Sequence, residues 1–239
     1  MKRSAAALLA LLPLLGSCDA PWDDSGDRAA TAREFPPADR PVAPTVSTKW
    51  STEEARDRVN EAEDVMDSAD VRPGMTVADI GAGDGYYTVR LAQRVGAGGR
   101  VLAQDIIPEV IERLADRVAR ERLDNVSLKL GAVDDPRLPA ASFDRVFMVH
   151  MYHEIGEPYA FLWRLRPALR AGGQVIVVDG DRPIADHGTP FRLLVCEFQA
   201  VGYKLVSYDD KQHAGGYLAR FVPSGKRPEP DAITVCDNP

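Results

Sequence analysis

From Asp79 to Gly85 the chain reads Asp-Ile-Gly-Ala-Gly-Asp-Gly. Glycine lets a backbone turn sharply and lets a ligand approach without a Cβ in its way. A β-branched run, Thr76 to Ile80, leads into this loop, and a helical stretch from Tyr87 to Arg94 follows it. The start of that helix offers unpaired N–H groups and a positive dipole end to an anionic group. In open α/β sheets ligands sit beyond the carboxyl ends of the strands, where strand order reverses. A nucleotide-like ligand is therefore expected at the loop. A nicotinamide fingerprint needs Gly-x-Gly-x-x-Gly, and here Tyr86 stands where its third glycine belongs.

A second concentration of chemistry follows the apolar run from Phe143: Val149-His150-Met151-Tyr152-His153-Glu154. His153 or Tyr152 is suited to orient or deprotonate an acceptor, and Glu154 to steer a cationic one. The plainer alternative is that His150 packs under the sheet and Glu154 caps the next turn. Two histidines three apart raise the question of a metal. Zinc sites need three or four ligands, and His-x-x-His-Glu is not the helical His-Glu-x-x-His arrangement, so no metal is expected. His187 and His213 fall in expected loops. Asp179-Gly180-Asp181 reads as a turn, with the edge of a pocket as the alternative.

The string Asp79-x-Gly81-x-Gly83-x-Gly85 resembles motif I of the class I S-adenosylmethionine (SAM) dependent methyltransferases. Asp105 ends the next strand twenty residues after Gly85, where that family places the acid that accepts both ribose hydroxyls. A carboxylate has the two oxygens a cis-diol needs. Ser142 to Val146 resembles the family's fourth strand, and Leu165 to Asp179 its next helix and fifth strand. The resemblance thus spans roughly Gly74 to Phe221. It implies SAM as the methyl donor, held by Asp79, Gly81, Ala82, Gly83 and Gly85, with Tyr86, Asp105, Ile106 and His150 around it. One departure stands out. The family often has an acid directly after the glycine ending strand three, but Gly131 is followed by Ala132 and Val133. Asp134 becomes the candidate for the adenine contact. The acceptor side then falls at the end of strand four, with His153 and Tyr152 as the candidate catalytic residues. A noncatalytic protein binding SAM or a similar ligand on the same fold is the alternative.

These groups need a frame. β-branched runs recur at Thr76–Ile80, Arg100–Asp105, Val126–Leu130, Phe143–His150 and Gln174–Asp179. Helical stretches lie between several of them, at residues 87–94, 108–122 and 158–170, two opening on proline, which a first helical turn tolerates. Such alternation implies βαβ units. A last helix at 190–201 and strands at 203–208 and 216–221 complete an α/β, Rossmann-like, doubly wound sheet. Seven strands are expected, mostly parallel with an antiparallel last strand, in a single domain over residues 50–223. Ser51 with Glu54 reads as a capping box opening a helix through Ala69.

The ends differ in composition. Lys2 and Arg3 precede an apolar run from Ala5 to Leu15 and then Gly16-Ser17-Cys18, the pattern of a secretory signal too short to span a membrane. Leu15-Gly16-Ser17-Cys18 resembles a bacterial lipobox, in which the cysteine is acylated and becomes the new N-terminus, so residues 1–18 are read as the signal peptide and lipobox of a lipid-anchored chain facing the periplasm. A misassigned start with a cytoplasmic protein is the alternative. Residues 19–49 are rich in proline and charge and read as a disordered tether, and 224–239 as a flexible tail. The three cysteines include Cys196 in an apolar helical stretch and Cys236 in a polar tail, expected to remain unpaired. A net charge of −7 disfavours nucleic acid and anionic lipid as partners. A small-molecule acceptor fits better, with membrane contact only through the anchor.

Overall fold

The computed structural model describes residues 28–45 and 52–237. The signal-like segment with Cys18, the start of the expected tether and Ser51 therefore lie outside the described residues. Seven strands form one sheet: β1 Thr76–Ile80, β2 Arg100–Asp105, β3 Val126–Leu130, β4 Phe143–Val149, β5 Leu169–Asp179, β6 Tyr203–Lys211 and β7 Gly216–Pro223. Their order is β3-β2-β1-β4-β5-β7-β6. The first five are mutually parallel, and β7 runs antiparallel to both β5 and β6. This is the expected Rossmann-like architecture. β5 begins five residues earlier than its β-branched run because Leu169 pairs with Phe143 ahead of a register shift.

Alternation along the strands supplies both faces of the sheet. Val146 and Met148 of β4 join Val175 and Val177 of β5 on one face, while Phe147, Ile176 and Val178 point to the other. Burial on both faces is why these strands read as continuous apolar runs rather than alternating ones. Helices α5 (Pro158–Leu165) and α6 (Phe191–Ala200) cover the first face. Helices α2 (Glu61–Ser68) and α3 (Tyr86–Val95) cover the second, and α4 (Pro108–Arg120) sits beside them, its Leu114 against Ala103.

The helix expected from Ser51 is broken into α1 (Glu53–Arg58) and α2 by Asn60, whose backbone is left-handed at φ 56°. Thr52 caps α1, its Oγ1 accepting from the Ala55 N–H.

Residues 28–45, expected to be part of a tether, lie against the domain. Ala32, Phe35 and Ala43 are buried, and Phe35 meets Trp163 edge-on at 5.4 Å between ring centroids. Arg28 donates from Nε and Nη2 to the two carboxylate oxygens of Glu157 at 2.7 and 2.6 Å. Arg40 donates to Glu197 at 2.7 Å and to the Ile155 carbonyl at 3.0 Å, with both charged side chains only 1% exposed. Proline and charge dominate the segment's composition, but Phe35, Arg28 and Arg40 find partners more than a hundred residues away.

The expected loose tail is also packed through residue 237. Trp163 Nε1 donates to the Pro228 carbonyl at 2.8 Å, the Arg227 guanidinium stacks 3.3 Å from the Trp163 ring centroid, and Ile233 is buried. Cys196 and Cys236, expected to stay unpaired, form a disulfide that ties this tail to α6. Their pairing depends on the tail crossing α5, where the Cys236 N–H donates to the Tyr159 hydroxyl at 2.7 Å. Sequence spacing does not show that path.

Breaking a buried ion pair strands its partner's charge, at a cost of ~3–5 kcal/mol. Arg40→Ala is therefore expected to lower unfolding stability by about 3 kcal/mol in urea titrations. An unchanged midpoint would show that residues 28–45 do not rest on the domain.

Candidate functional site

The sheet reverses direction of growth at β1 and β4, which are neighbours although they are not consecutive. The loops leaving their carboxyl ends diverge, and a cavity of about 1040 Å³ opens there. Ligand pockets commonly enclose ~300–1,000 Å³. This one has room for a nucleoside-sized ligand and a small second molecule.

The glycine loop forms one wall. Gly81, Gly83 and Gly85 all have positive φ, at 67°, 53° and 88°. A Cβ on Gly85 would stand 2.5 Å from Leu114 Cδ1, and one on Gly81 would stand 3.0 Å from Met151 Cγ. The first contact seats the loop on α4, and the second lets the loops after β1 and β4 close on each other. Asp105 ties the loop down: its Oδ2 accepts from the Gly83 N–H and its Oδ1 from the Ile107 N–H, both at 3.1 Å. Gly81, Ala82, Gly83, Asp105 and Ile106 all line the cavity.

Asp79 does not reach the cavity lining. It is buried one turn behind the loop and accepts from the Thr88 hydroxyl at 2.6 Å, fixing the start of α3. Burial raises its pKa from 3.8 to about 6, against the lowering effect of the Thr88 hydrogen bond. Gly85 likewise supports the loop from behind.

Tyr86 lines the cavity, its ring held between the guanidinium groups of Arg56 and Arg90 at 3.8 and 3.7 Å from the centroid. Tyr87 is packing: it is buried, and its hydroxyl donates to Glu61 at 3.1 Å. His150 also lines the cavity, with Nε2 3.6 Å from Glu61 Oε1. Although burial opposes it, contacts with His150 and Arg56 hold the Glu61 carboxyl down at about 2. An Arg56–Glu61–His150 chain therefore joins α1, α2 and the end of β4 at the cavity mouth.

Asp134 is not placed for the adenine contact assigned to it. Its carboxylate accepts from Thr31 Oγ1 at 2.6 Å and pairs with Arg164, away from the cavity, while Ala132 and Val133 form the wall. Residues 132–135 make a tight turn, with the Ala132 N–H donating to the Asp135 carbonyl at 2.7 Å, and that turn carries Asp134 outward. Sequence reasoning missed Gln104, which lines the cavity beside Asp105 with its Nε2 buried and lacking a hydrogen-bond partner among the described residues. A Cβ on Gly131 would collide with that amide. The glycine ending β3 was its one signal in the sequence.

Tyr152 and His153 share a 3₁₀ turn, Tyr152–Glu154, and leave it on different sides. Tyr152 is fully buried in the core, donating from its hydroxyl to Glu197 at 2.6 Å, which removes it from the acceptor side. Successive residues of a 3₁₀ turn point about 120° apart, so adjacency in sequence separates them in space. His153 does line the cavity, together with Met151 and Glu154. Its Nδ1 faces Asp179 at 3.0 Å, and Asp179 also accepts from the Thr189 hydroxyl at 2.7 Å and the Gly180 N–H at 2.9 Å. Asp179, read as part of a turn, is the residue that orients His153.

The donor set fits a nucleoside ligand. Asp105 keeps unused acceptor capacity on both oxygens, Gln104 Nε2 has no partner among the described residues, and Gly81 and Gly83 bring bare backbone to the cavity.

Residues 77–173 match a family described as a methyltransferase domain. The protein-L-isoaspartate O-methyltransferase of Methanothrix thermoacetophila is 33% identical over 48% of this chain and 52% of its own. The ubiquinone/menaquinone biosynthesis C-methyltransferase of Bordetella avium is 30% identical over 71% of this chain and 63% of its own. The chain thus spans about half to two thirds of the length of these two curated relatives. A SAM-dependent methyltransferase structure from Aquifex aeolicus superposes with a TM-score of 0.63 at 23% identity, covering 70% of this chain and 90% of that one. The glycine loop braced by Asp105, the strand order and these likenesses agree: residues 77–173 are similar to methyltransferase domains, and the sheet has the Rossmann-like fold typical of methyltransferases.

Proposed function

We propose that the protein transfers a methyl group from SAM to a small-molecule acceptor. The observation that carries this reading is Asp105, whose carboxylate both closes the glycine loop and faces the cavity. When bound, SAM supplies an electrophilic methyl on a sulfonium. Asp105 receives the ribose hydroxyls, Ala132 and Val133 pack on the adenine, and Gln104 donates to it. Tyr86 and His150 border the opposite end.

The acceptor chamber lies at Met151, His153 and Glu154. His153, fixed through Nδ1 by Asp179, orients the acceptor beside the methyl donor. Pro37, Ala38 and Val42 of the N-terminal segment line the same cavity. That cover favours a small acceptor over a macromolecule.

Purified protein is expected to bind SAM and S-adenosylhomocysteine in calorimetric titrations, with Asp105→Ala weakening both ~10–100-fold, as loss of charged hydrogen bonds does. In the same material, tritium from methyl-labelled SAM should pass to a low-molecular-weight fraction of a cell extract, and His153→Ala should retain SAM binding while losing transfer. Failure of both nucleosides to bind would remove the proposal. Binding without transfer would favour the noncatalytic alternative.

Asp79 gives a pH signature. Its folded-state pKa of about 6 lies above the usual 3.8, so the folded protein holds that proton more tightly. Its contribution to stability therefore falls as pH rises from about 4 to about 6. Asp79→Asn is expected to flatten the melting-temperature profile across that window. An unchanged slope would contradict the buried acid.

The same proposal places the chain outside the cytoplasm, anchored through Cys18. The lipobox-like sequence and the Cys196–Cys236 disulfide support it, since such bonds persist in oxidising compartments. Among the described residues no helix is long and apolar enough to cross a membrane. Fractionation should find the protein with envelope membranes and Cys18→Ser should release it; a cytoplasmic pool with reduced Cys196 would contradict the placement.

A further inference from the structure

We propose that His153, Glu154 and His187 form a binding site for a divalent transition metal at the wall of the acceptor chamber. One ligand atom from each of the three lies within 4.8 Å of the other two. His153 and Glu154 come from the 3₁₀ turn after β4, and His187 from the loop after β5, so the group forms only when the sheet brings those connections together. The methyl-transfer reading makes no use of His187.

The His153 imidazole is held from behind by a carboxylate, and His187 is placed by its backbone. Asp179 holds His153 through Nδ1 and is itself fixed by Thr189 and the Gly180 N–H, and the other ring nitrogen is assigned to the metal. Metal-bound histidines ordinarily have such a carboxylate behind them, because it sets the tautomer and raises ligand basicity. His187 is set by its backbone. It is left-handed at φ 56° and ψ 56°, its N–H donates to the Ile184 carbonyl at 3.0 Å, and its carbonyl accepts from Arg182 at 2.8 and 3.2 Å. A Cβ on the following Gly188 would collide with the Arg182 side chain that makes this grip. The two rings meet edge-on with centroids 5.5 Å apart.

Two imidazoles and one carboxylate suit zinc, cobalt, nickel or ferrous iron better than calcium or magnesium, which prefer all-oxygen shells. Among the described residues three donors converge, and a further coordination position would go to the acceptor. His153 and Glu154 line the cavity, so that position faces the acceptor chamber, where a hydroxyl, phenol or carboxylate of the acceptor would occupy it. This last step rests on the methyl-transfer reading; the metal site itself does not. The histidine pair three apart in sequence is not the pair that converges, since His150 turns to Glu61.

The test uses tag-free, chelator-treated full-length protein. Zinc titration against a chromophoric competitor should show one equivalent bound at micromolar affinity or better, and cobalt substitution should give visible absorption bands. His187→Ala should weaken zinc at least tenfold and bleach the cobalt bands while leaving SAM affinity unchanged. Glu154→Gln, checked by circular dichroism as folded, should weaken zinc in the same direction. Absence of stoichiometric zinc binding by the wild-type chain, or wild-type affinity in both variants, would overturn the site. SAM binding without zinc would sink this inference alone, and zinc binding without SAM would sink only the preceding proposal.

Discussion

The order of strands around β1 and β4 is the constraint on which the rest depends. Two parallel neighbours whose outgoing connections lead to opposite faces must leave a cleft at their carboxyl ends. The groups assigned chemistry here gather at the carboxyl ends of the strands and on the connections leaving them. The loop after β1 carries the glycines, the end of β2 carries Asp105, the turn after β3 carries Ala132 and Val133, and the turn after β4 carries His153. Gly81 is needed because the loops after β1 and β4 approach until a Cβ would press on Met151. Asp105 ties the loop after β1 to the connection after β2, because the Gly83 and Ile107 N–H groups converge on its carboxylate.

Outside that frame, the chain ends act as structure. Residues 28–45 cross the face bearing α5 and α6 on a few apolar contacts and two arginine–carboxylate pairs, and also line the cavity. The C-terminal segment runs over α5 and is fastened to α6 by the disulfide. Stability and enclosure of the acceptor chamber are therefore linked: Arg40 holds Glu197, and Glu197 accepts from Tyr152, the residue next to His153.

What was legible in the sequence was local. The glycine loop, Asp105 and all seven strands follow from short-range spacing and period, and the structure places them as read, apart from end positions. What was not legible depends on partners far along the chain. Asp179 behind His153 is 26 residues away, and Thr31 against Asp134 is 103 residues away. No spacing rule predicts either. Tyr152 and His153 could not be told apart by composition, because the turn's dihedral angles alone decide which faces the cavity. Prolines and charges made the ends look loose, and the ion pairs that order them appear only once the domain is folded.

The central claim is that the Asp105-braced loop and the walls facing it are where SAM binds. Ultraviolet crosslinking of methyl-labelled SAM to the full-length protein, followed by peptide mapping, tests it most directly. Label is expected in peptides spanning Gly81–Tyr86, Asp105–Ile107 or Ala132–Val133, and excess S-adenosylhomocysteine should remove it. Label confined to peptides of β6 and β7, or insensitive to that competitor, would contradict the account.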